Sequence, residues 1–371
     1  MITDLKTLVK FSPTQKNEFF STVRKRVDEY FEVNNISKHA NAVMVTKSVV
    51  LLAAYILPFI FLVLFNPPFI IAAGIWIFMG AAVAGIGMSV MHDANHGAYS
   101  SNDVVNYIMG HTLNLVGGAV FNWKLQHNIL HHTYTNISGM DEDIQDRAVL
   151  KFSPHTKVKP FHRFQPFYAV FFYGLMTIYW VMAKDVIQFR KYTRNGLNKN
   201  TRSQSILTLL LIISNKLIYA FAMVFVPVFF FGLALHQVLL GILIMHFVGS
   251  IILSFVFQLA HTVEGTSHPL PDDTGTIQNE WAIHQMNTTV NFSRQNKLIS
   301  WYVGGLNFQV EHHLFPRICH VHYPKIAAIV KQTAEEFRVP YMENRTFFAA
   351  VKSHFNTLKR FGLPHMNEVL A

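Results

Sequence analysis

Histidines are spaced along this sequence in a way that suits metal coordination. His92 and His96 stand four residues apart, and so do His127 and His131. In an α-helix this spacing stacks two side chains on one face, which is how helical histidine pairs hold a metal ion. A single pair is a weak signal, because it is more often a hydrogen-bonded histidine or chance. Two pairs in one chain indicate a metal site whose ligands are imidazoles.

The stretch GGLNFQVEHHLFP, residues 304–316, contains the adjacent histidines His312 and His313. If this stretch is helical, the two rings project about 100° apart, because an α-helix turns once in about 3.6 residues. Rings that diverge so far suit two neighbouring ions better than one ion. His132 diverges from His131 in the same way. Gln309 lies three and four residues before the pair and shares its face, so it is a candidate ligand at or beside the metal.

A further histidine, His261, closes an apolar run in the sequence FQLAHTVEG. The other clusters also lie at or near the ends of apolar segments. A histidine at the level of the lipid headgroups is the alternative interpretation of His261. We predict that the ligands of a di-metal site come from the following set: His92, His96, His127, His131, His132, His261, His312, His313 and Gln309.

Long apolar runs separate these clusters and predict a membrane protein. Hydrophobic residues make up 51% of the chain and charged residues only 14%, whereas soluble proteins have about 25% charged residues. A bilayer core needs about 20 apolar residues per helix. Residues 43–65 and 69–91 flank a short Asn-Pro-Pro turn and predict one helical hairpin. Residues 217–260, which are broken at 232–237, predict a second hairpin.

The net charge of +10 reports topology rather than nucleic-acid binding. No Lys or Arg occurs between Lys47 and Lys124, nor between Lys216 and Arg294. These gaps contain the apolar runs. Basic residues crowd the segments outside them, as is typical of the cytosolic parts of membrane proteins. We therefore expect contact with membrane lipids, including anionic headgroups, and no nucleic-acid partner.

The histidine clusters constrain the topology, because they must meet on one side of the membrane. The number of crossings between His132 and His312 is then even, and the second hairpin already supplies two. Residues 167–183 are therefore expected to lie along the interface. Residues 104–120 contain Asn106, His111, Asn114 and two glycines, which favours a re-entrant or interfacial helix. The sequence predicts an all-α integral membrane protein with four transmembrane helices in two hairpins, interfacial helices, a cytosolic helical cap that holds the di-metal site, and both termini in the cytosol.

The segments outside the spans complete the predicted organisation. Residues 1–42 are expected to form a cytosolic or interfacial segment with a surface helix near the membrane, residues 43–330 the membrane domain with its cap, and residues 331–371 a cytosolic tail, with a helix at about 323–337. The polar N-terminus indicates no cleavable signal peptide. Cys319 is the only cysteine, which excludes an intrachain disulfide or a cysteine-based metal site and fits a reducing, cytosol-facing location.

The three clusters, in this order over about residues 43–330, resemble the three histidine boxes of the integral-membrane fatty acid desaturases. Three residues separate His127 from the His-His pair of the second box, and the third box has the form Gln-x-x-His-His. Both features are similar to the acyl-lipid and front-end branch. The flanking residues that support the resemblance are Trp281, Gln285, Thr288, Asn291, Trp301, Gly304 and Gly305.

The resemblance implies an oxidoreductase, a desaturase that uses two iron ions and dioxygen to introduce a cis double bond into an acyl chain. It implies that His92, His132, His261 and His313 hold one iron, and that His96, His127, His131 and His312 hold the other, with Gln309 beside the second. Groups that orient the rings are sought among Asp93, Asn95, Asn136, Asp141, Asp143, Glu264 and Glu311.

The resemblance also bears on partners and location. Many front-end members carry a fused cytochrome domain with a His-Pro-Gly-Gly motif, which this sequence lacks, so electrons are expected from a separate ferredoxin or b-type cytochrome. The acyl group is expected on a lipid, on coenzyme A or on a carrier protein. A bacterial cell membrane is the expected location, or the endoplasmic reticulum if the protein is eukaryotic.

Three other functions fit parts of the pattern. A membrane di-iron hydroxylase or ketolase would use similar boxes, and its product would gain oxygen where a desaturase product loses two hydrogens. A divalent-metal transporter would place ligands within the spans near the midplane, whereas most of these histidines lie at span ends. A haem-binding electron carrier would show a Soret absorption band. The glutamine-led third box and its Gly-Gly flank favour the desaturase.

Overall fold

The computed structural model describes residues 9–12, 17–146 and 149–364. The chain divides into two compact units, each discontinuous in sequence. Residues 41–124 and 170–254 form what we call the hairpin unit. The described residues up to 40, residues 125–169 and the described residues from 255 form what we call the cluster unit.

Helices dominate both units. The described strands are two-residue segments that pair in parallel, Lys10–Phe11 with Thr276–Ile277 and Asn291–Phe292 with Glu343–Asn344. The α-helices are Phe19–Val33, Ala42–Phe65, Phe69–Gly85, Met91–Asn95, Asp103–Gly110, Thr112–Leu115, Val120–Trp123, His132–Tyr134, Gln165–Tyr173, Met176–Tyr179, Asp185–Arg194, Arg202–Ala220, Leu235–His261, Trp281–Thr288, Lys297–Tyr302, Gln309–Leu314, Tyr323–Glu336 and Phe347–Phe361. The π-helical stretches are Ile86–Val90, Lys124–His131, Trp180–Lys184 and Phe221–Phe230. The 3₁₀ turns are Pro160–Phe164 and His320–His322.

Four helices in the described residues are long and apolar enough to cross a bilayer, as the sequence predicted. They are the continuous helices Ala42–Phe65, Phe69–Asn95, Arg202–Phe230 and Leu235–His261. Asn66, which ends the first of them, adopts a left-handed conformation with φ of +41°, and the two prolines that follow it cannot continue a helix.

The helix of the third span begins at Arg202, before the segment from residue 217 that predicted the second hairpin. A capping box fixes this earlier start. The Thr201 hydroxyl accepts a hydrogen bond from the Gln204 backbone N–H (3.3 Å), and the Gln204 side chain accepts one from the Thr201 backbone N–H (2.9 Å). These reciprocal bonds satisfy amides that have no partner inside the helix, so the polar residues before the apolar run are also helical.

The segments that were expected not to cross are bent. Asp103–Leu115 and Val120–Tyr134 meet at 106°, and Pro160–Tyr173 and Met176–Arg194 meet at 58°. Length and composition alone would allow six spans if each bent pair counted as one. The sharp bends are consistent with the predicted re-entrant or interfacial positions of these segments.

Small residues bring two spanning helices of the hairpin unit close together. A Cβ added at Gly80 would lie 2.5 Å from the Met245 carbonyl oxygen, and one added at Gly249 would lie 3.0 Å from the Gly80 carbonyl oxygen. A Cβ at Gly241 would collide with the Trp76 indole. Membrane helices pack through such small residues because lipid gives apolar side chains no preference for each other.

In the cluster unit, the N-terminal helix Phe19–Val33 buries an apolar face against the helix Tyr323–Glu336. Phe19, Val23, Val27 and Phe31 recur at helical spacing and are all buried in one core with residues of that second helix. Burial of each such side chain stabilises the fold by about 1.5–3 kcal/mol. The apolar face of the predicted surface helix is therefore covered by protein.

The predicted domain boundaries stay predictions. The helix expected at about residues 323–337 is confirmed as Tyr323–Glu336, and the boundary predicted after residue 330 falls within it. A later helix, Phe347–Phe361, begins at Thr346, whose side chain accepts a hydrogen bond from the Ala349 backbone N–H (3.1 Å). Its His354 ring is hydrogen-bonded to the Thr262 carbonyl (2.7 Å), which joins this helix to the rest of the cluster unit.

Candidate metal centre

The second histidine cluster lies on a π-helix, not on the α-helix that its spacing predicted. The π-helical stretch Lys124–His131 runs directly into the short α-helix His132–Tyr134. The His127 and His131 rings are stacked with centroids 5.2 Å apart, and the His132 ring stands nearly perpendicular to the His127 ring at 4.9 Å. π-helical turns occur frequently at functional sites. The three rings therefore face a common space although the turn is wider than an α-helical one.

Two carboxylates orient the rings of this cluster. The His131 Nδ1–H donates to Asp141 Oδ2 (2.9 Å), and the His127 Nδ1–H donates to Asp143 Oδ2 (2.9 Å). A carboxylate bound to Nδ1–H fixes the tautomer, so the lone pair of each ring is on Nε2. Asp141 and Asp143, two of the groups predicted to orient the rings, therefore contact His131 and His127 directly.

The Asp141 carboxylate is itself held in place by the backbone. Its Oδ2 accepts a hydrogen bond from the Asn136 backbone N–H (3.0 Å), and its Oδ1 accepts one from the Asp143 backbone N–H (3.0 Å). Asn136 adopts a left-handed conformation with φ of +61°, which asparagine tolerates better than most residues. Its side-chain amide donates to the carbonyls of His261 and Ser267 (both 3.0 Å). Asn136 therefore joins this loop to His261 and does not orient a ring.

The third cluster lies on the short helix Gln309–Leu314, all of whose residues are buried. His312 Nδ1 is hydrogen-bonded to the Tyr323 hydroxyl (3.2 Å), and His313 Nδ1 to Gln285 Oε1 (2.7 Å). The planes of the His312 and His313 rings are nearly perpendicular, at 84°. Gln309 is the first residue of this helix, and its side chain is only 1% exposed.

His261 ends the long helix Leu235–His261 and faces the other clusters. Its Nδ1–H donates to the Thr288 carbonyl (3.3 Å). One ligand nitrogen from each of His131, His261 and His313 lies within 4.8 Å of the other two. The interpretation of His261 as part of the histidine set therefore agrees with its position.

The residues present fit a metal ion. Within the described chain, the Nε2 atoms of His131 and His261 are buried and have no hydrogen-bond partner. A buried polar atom without a partner costs about 1–3 kcal/mol, and two such lone pairs in one space are explained by a cation between them. Imidazole nitrogens suit zinc, copper, iron or nickel, so the donor set alone does not choose among these metals.

His131 lies close to both ligand groups that the resemblance implied. It was placed with His127 and His312, apart from His261 and His313. In the structure its ligand nitrogen lies within 4.8 Å of those of His261 and His313, and also of those of His127 and Asp143. The iron to which His131 belongs therefore stays a prediction.

The first cluster belongs to the hairpin unit. His92 lies in the last turn of the helix Phe69–Asn95, and His96 is the residue at which that helix ends. The two rings are 4.7 Å apart and both lie within 6 Å of the Trp123 ring. The predicted pairing of these rings on one helix end is therefore present.

Three other predicted orienting groups, Asn95, Glu264 and Glu311, are hydrogen-bonded to residues outside the histidine set. Asn95 donates to the Gly110 carbonyl (3.1 Å), and Glu264 accepts from Asn356 (3.3 Å). The buried Glu311 accepts from the Tyr341 hydroxyl (2.7 Å) and from Asn291 (2.9 Å). Burial raises the pKa of Glu311, although these two hydrogen bonds oppose the shift. Asp93 Oδ1 lies 3.7 Å from His92 Nδ1.

The sequence did not identify the partners of His261, His312 and His313. These are a backbone carbonyl, the Tyr323 hydroxyl and the Gln285 amide. Gln285 and Thr288 had drawn attention only as flanking residues of a resemblance. A pattern of i, i+3 and i+4 positions on one helix face was the available signal that these side chains act together.

Buried imidazoles with fixed tautomers, in a chain with four bilayer-length apolar helices, define a membrane protein with a histidine-rich metal site. The sequence profile described as "Fatty acid desaturase" matches residues 66–345. The chain therefore belongs to the fatty acid desaturase family, and it is an oxidoreductase that acts on acyl chains.

Similar proteins cover nearly the whole chain. It is 35% identical to the sn-1 linoleoyl-lipid 6-desaturase of Arthrospira platensis over 93% of both chains. It is 36% identical to the protein of the same description from Synechocystis sp., over 95% of this chain and 98% of the relative. It is 32% identical to the acyl-lipid (8-3)-desaturase of Physcomitrium patens, over 96% of this chain and 74% of the relative.

Proposed function

We propose that the protein is a di-iron acyl-lipid desaturase that introduces a cis double bond into an acyl chain of a membrane lipid. The observation that carries the proposal is the convergence of His131, His261 and His313 in a chain that belongs to the fatty acid desaturase family. The names of the relatives, which are acyl-lipid desaturases, support a lipid ester as the substrate.

We assign the ligands to two irons from the histidine set. His131, His261 and His313 belong to one iron, and His127 and His312, whose rings are stacked 6.0 Å apart, belong to the other. His92, His96 and His132 complete the set by their place in the sequence pattern, and Gln309 lies at or beside a metal. When bound, the irons supply the oxidising chemistry that activates dioxygen towards an unactivated C–H bond.

The protein groups hold the ligands in the correct protonation state. Asp141 and Asp143 accept the Nδ1–H of His131 and His127, so each Nε2 presents a lone pair without a proton to be displaced. Burial of these rings keeps water away from the site; His131 and His313 are 0% exposed. An oxidising site that excludes water is protected from side reactions.

Electrons come from a separate protein, which we propose is a ferredoxin or a b-type cytochrome. Removal of two hydrogens from the acyl chain with one dioxygen requires two further electrons and two protons if both oxygen atoms leave as water. The chain offers no cysteine cluster that could hold an iron–sulfur centre, because it has a single cysteine and such clusters need several thiolates.

We propose that the four long helices cross the membrane as two hairpins with both termini in the cytosol. The distribution of basic residues supports this orientation, because Lys and Arg are missing from the runs 48–123 and 217–293 and concentrate in cytosolic segments of membrane proteins. A bacterial cell membrane is the proposed location.

The test is expression in a host that lacks its own desaturase, followed by profiling of fatty acids within each lipid class. We expect a product that has lost two hydrogens, in a lipid-bound chain. His131→Ala should abolish the product without preventing membrane insertion. His236→Ala is the matched control, because His236 is exposed and outside the histidine set. A product that gains an oxygen, or full activity of His131→Ala, would contradict the proposal.

A further inference from the structure

The helix Trp281–Thr288 presents four residues towards the proposed ligands. Trp281, His284, Gln285 and Thr288 recur at positions i, i+3, i+4 and i+7, which lie on one helix face. On another face, Ala282 and Met286 are buried in the apolar core of the cluster unit. The core packing therefore fixes the rotation of this helix and, with it, the direction of the first face.

Contacts from this helix reach two segments that carry proposed ligands, in addition to the contact with His313. Trp281 Nε1–H and Gln285 Nε2–H both donate to the His132 carbonyl, at 3.0 and 3.1 Å. The His284 Nε2–H donates to the Thr135 carbonyl at 2.8 Å. The Thr288 carbonyl accepts from His261. One short helix thus fixes the backbone after the second histidine cluster and the ring of His261.

Hydrogen-bond polarity assigns the proton on His313. A backbone carbonyl only accepts, so the end of the Gln285 amide that faces the His132 carbonyl is the NH₂ group. The other end is then the carbonyl oxygen Oε1, which lies 2.7 Å from His313 Nδ1. Because Oε1 only accepts, Nδ1 of His313 carries the hydrogen. The lone pair of the His313 ring is therefore on Nε2.

The partner of His313 differs in charge from those of His127 and His131. Those two rings donate to carboxylates, whereas His313 donates to a neutral amide. The Thr135 hydroxyl lies 2.9 Å from the same Oε1 and 2.7 Å from the His131 carbonyl, and these two acceptors share its single hydrogen. Gln285 and every atom that contacts it here are buried.

We propose that Gln285 is a positioning residue for the metal site, which fixes the tautomer and orientation of His313 through Oε1. This inference rests on the proposed function, since it takes His313 as an iron ligand. Gln285 need not touch substrate or metal. Loss of a partner that orients a ligand weakens metal binding by about 10- to 100-fold.

Two substitutions separate the role of Oε1 from that of the NH₂ group. Gln285→Leu removes both. Gln285→Glu keeps an oxygen that accepts from His313 and lacks the amide donor to the His132 carbonyl. Met286→Leu is the control for the same helix, because Met286 lies in the apolar core and the change nearly conserves volume. Trp281→Phe removes only the second donor to the His132 carbonyl.

The experiment measures iron bound per full-length chain in detergent as a chelator is increased, with circular dichroism and gel filtration as checks of folding. We expect Gln285→Leu to lose iron at about 10- to 100-fold lower chelator concentration than the wild type. Gln285→Glu, Trp281→Phe and Met286→Leu should remain close to the wild type. Wild-type iron retention in folded Gln285→Leu would overturn the inference.

Equal loss of iron in Gln285→Leu and Gln285→Glu would also overturn the inference. The NH₂ group that donates to the His132 carbonyl, and not Oε1, would then be the group that supports iron binding. If Gln285→Leu fails to fold, the iron retention of Gln285→Glu is compared with that of Trp281→Phe to test the role of Oε1. Loss of iron in Gln285→Glu alone contradicts the role of Oε1, and retention in both supports it. A wild-type protein that binds no iron would refute the proposed function itself. A wild-type protein and a folded Gln285→Leu variant that bind iron equally well would refute only the role of Gln285.

Discussion

Replacement of Asp141 should weaken iron binding in proportion to the number of hydrogen-bond acceptors that are lost. The carboxylate of Asp141 accepts from the His131 ring and from the backbone amides of Asn136 and Asp143. Asp141→Asn keeps one oxygen, which satisfies His131 and Asn136 if the new NH₂ group turns towards the Asp143 amide. Asp141→Leu leaves all three donors without an acceptor.

The expected magnitudes follow from these contacts. Each buried donor left without a partner costs about 1–3 kcal/mol of stability. Loss of an orienting partner weakens metal binding by about 10- to 100-fold, which corresponds to about 1.4–2.8 kcal/mol. We therefore expect the weakening of iron binding to be about tenfold for Asp141→Asn and nearer 100-fold for Asp141→Leu, with a lower thermal stability for the second variant.

The assay is chelator competition with quantification of iron per chain, together with thermal unfolding of each purified protein. Asp272→Asn is the matched control, because Asp272 is exposed and its oxygens are hydrogen-bonded within its own turn. That control makes the same charge change away from the histidines. Iron binding by Asp141→Leu equal to the wild type would refute the role of Asp141 as the group that orients His131.

Three further changes have defined outcomes. Gln309→His should retain more desaturation product than Gln309→Ala if this side chain lies near the metal; equal loss in both, by fatty acid profiling, would assign it a packing role. Asp185→Ala should lower stability by about 3–5 kcal/mol, since it removes the negative charge 2.5 Å from the Lys216 ammonium and leaves that cation only the Gly117 and Trp180 carbonyls as acceptors; an unchanged melting temperature would contradict this. Burial lowers the pKa of His354 to about 4. Between about pH 6.5 and pH 4 the unfolded chain therefore binds a proton at this residue that the folded protein does not bind. The contribution of His354 to stability is fully present above this window and is lost as the pH falls through it. His354→Gln should make melting temperatures at about pH 7 and about pH 5 differ less than in the wild type.

The sequence predicted the features that depend on neighbouring residues. The apolar runs are long enough to be recognised by length alone, and four of them are helices of bilayer length. The His312–His313 pair lies on a helix, as the sequence predicted, and the turn of a helix separates the projections of adjacent side chains by about 100°. The carboxylates beside the second cluster were also found, because Asp141 and Asp143 lie close to it in the chain.

Features that depend on distant contacts could not be read from the sequence. The amide of Gln285 contacts the carbonyl of His132, a residue 153 positions away, and no local pattern specifies such a pair. The same applies to the apolar face of the helix Phe19–Val33, whose covering helix is near the other end of the chain. The π-helical turn of His127 and His131 was missed because a spacing of four residues is compatible with α- and π-helical turns.

The central claim is that the histidines hold two irons in one site. Anomalous diffraction from crystals of the iron-loaded protein, recorded at the iron absorption edge, tests it directly. We predict two iron peaks, one of them coordinated by His131, His261 and His313. A single peak, or the absence of a peak among these three rings, would contradict the account.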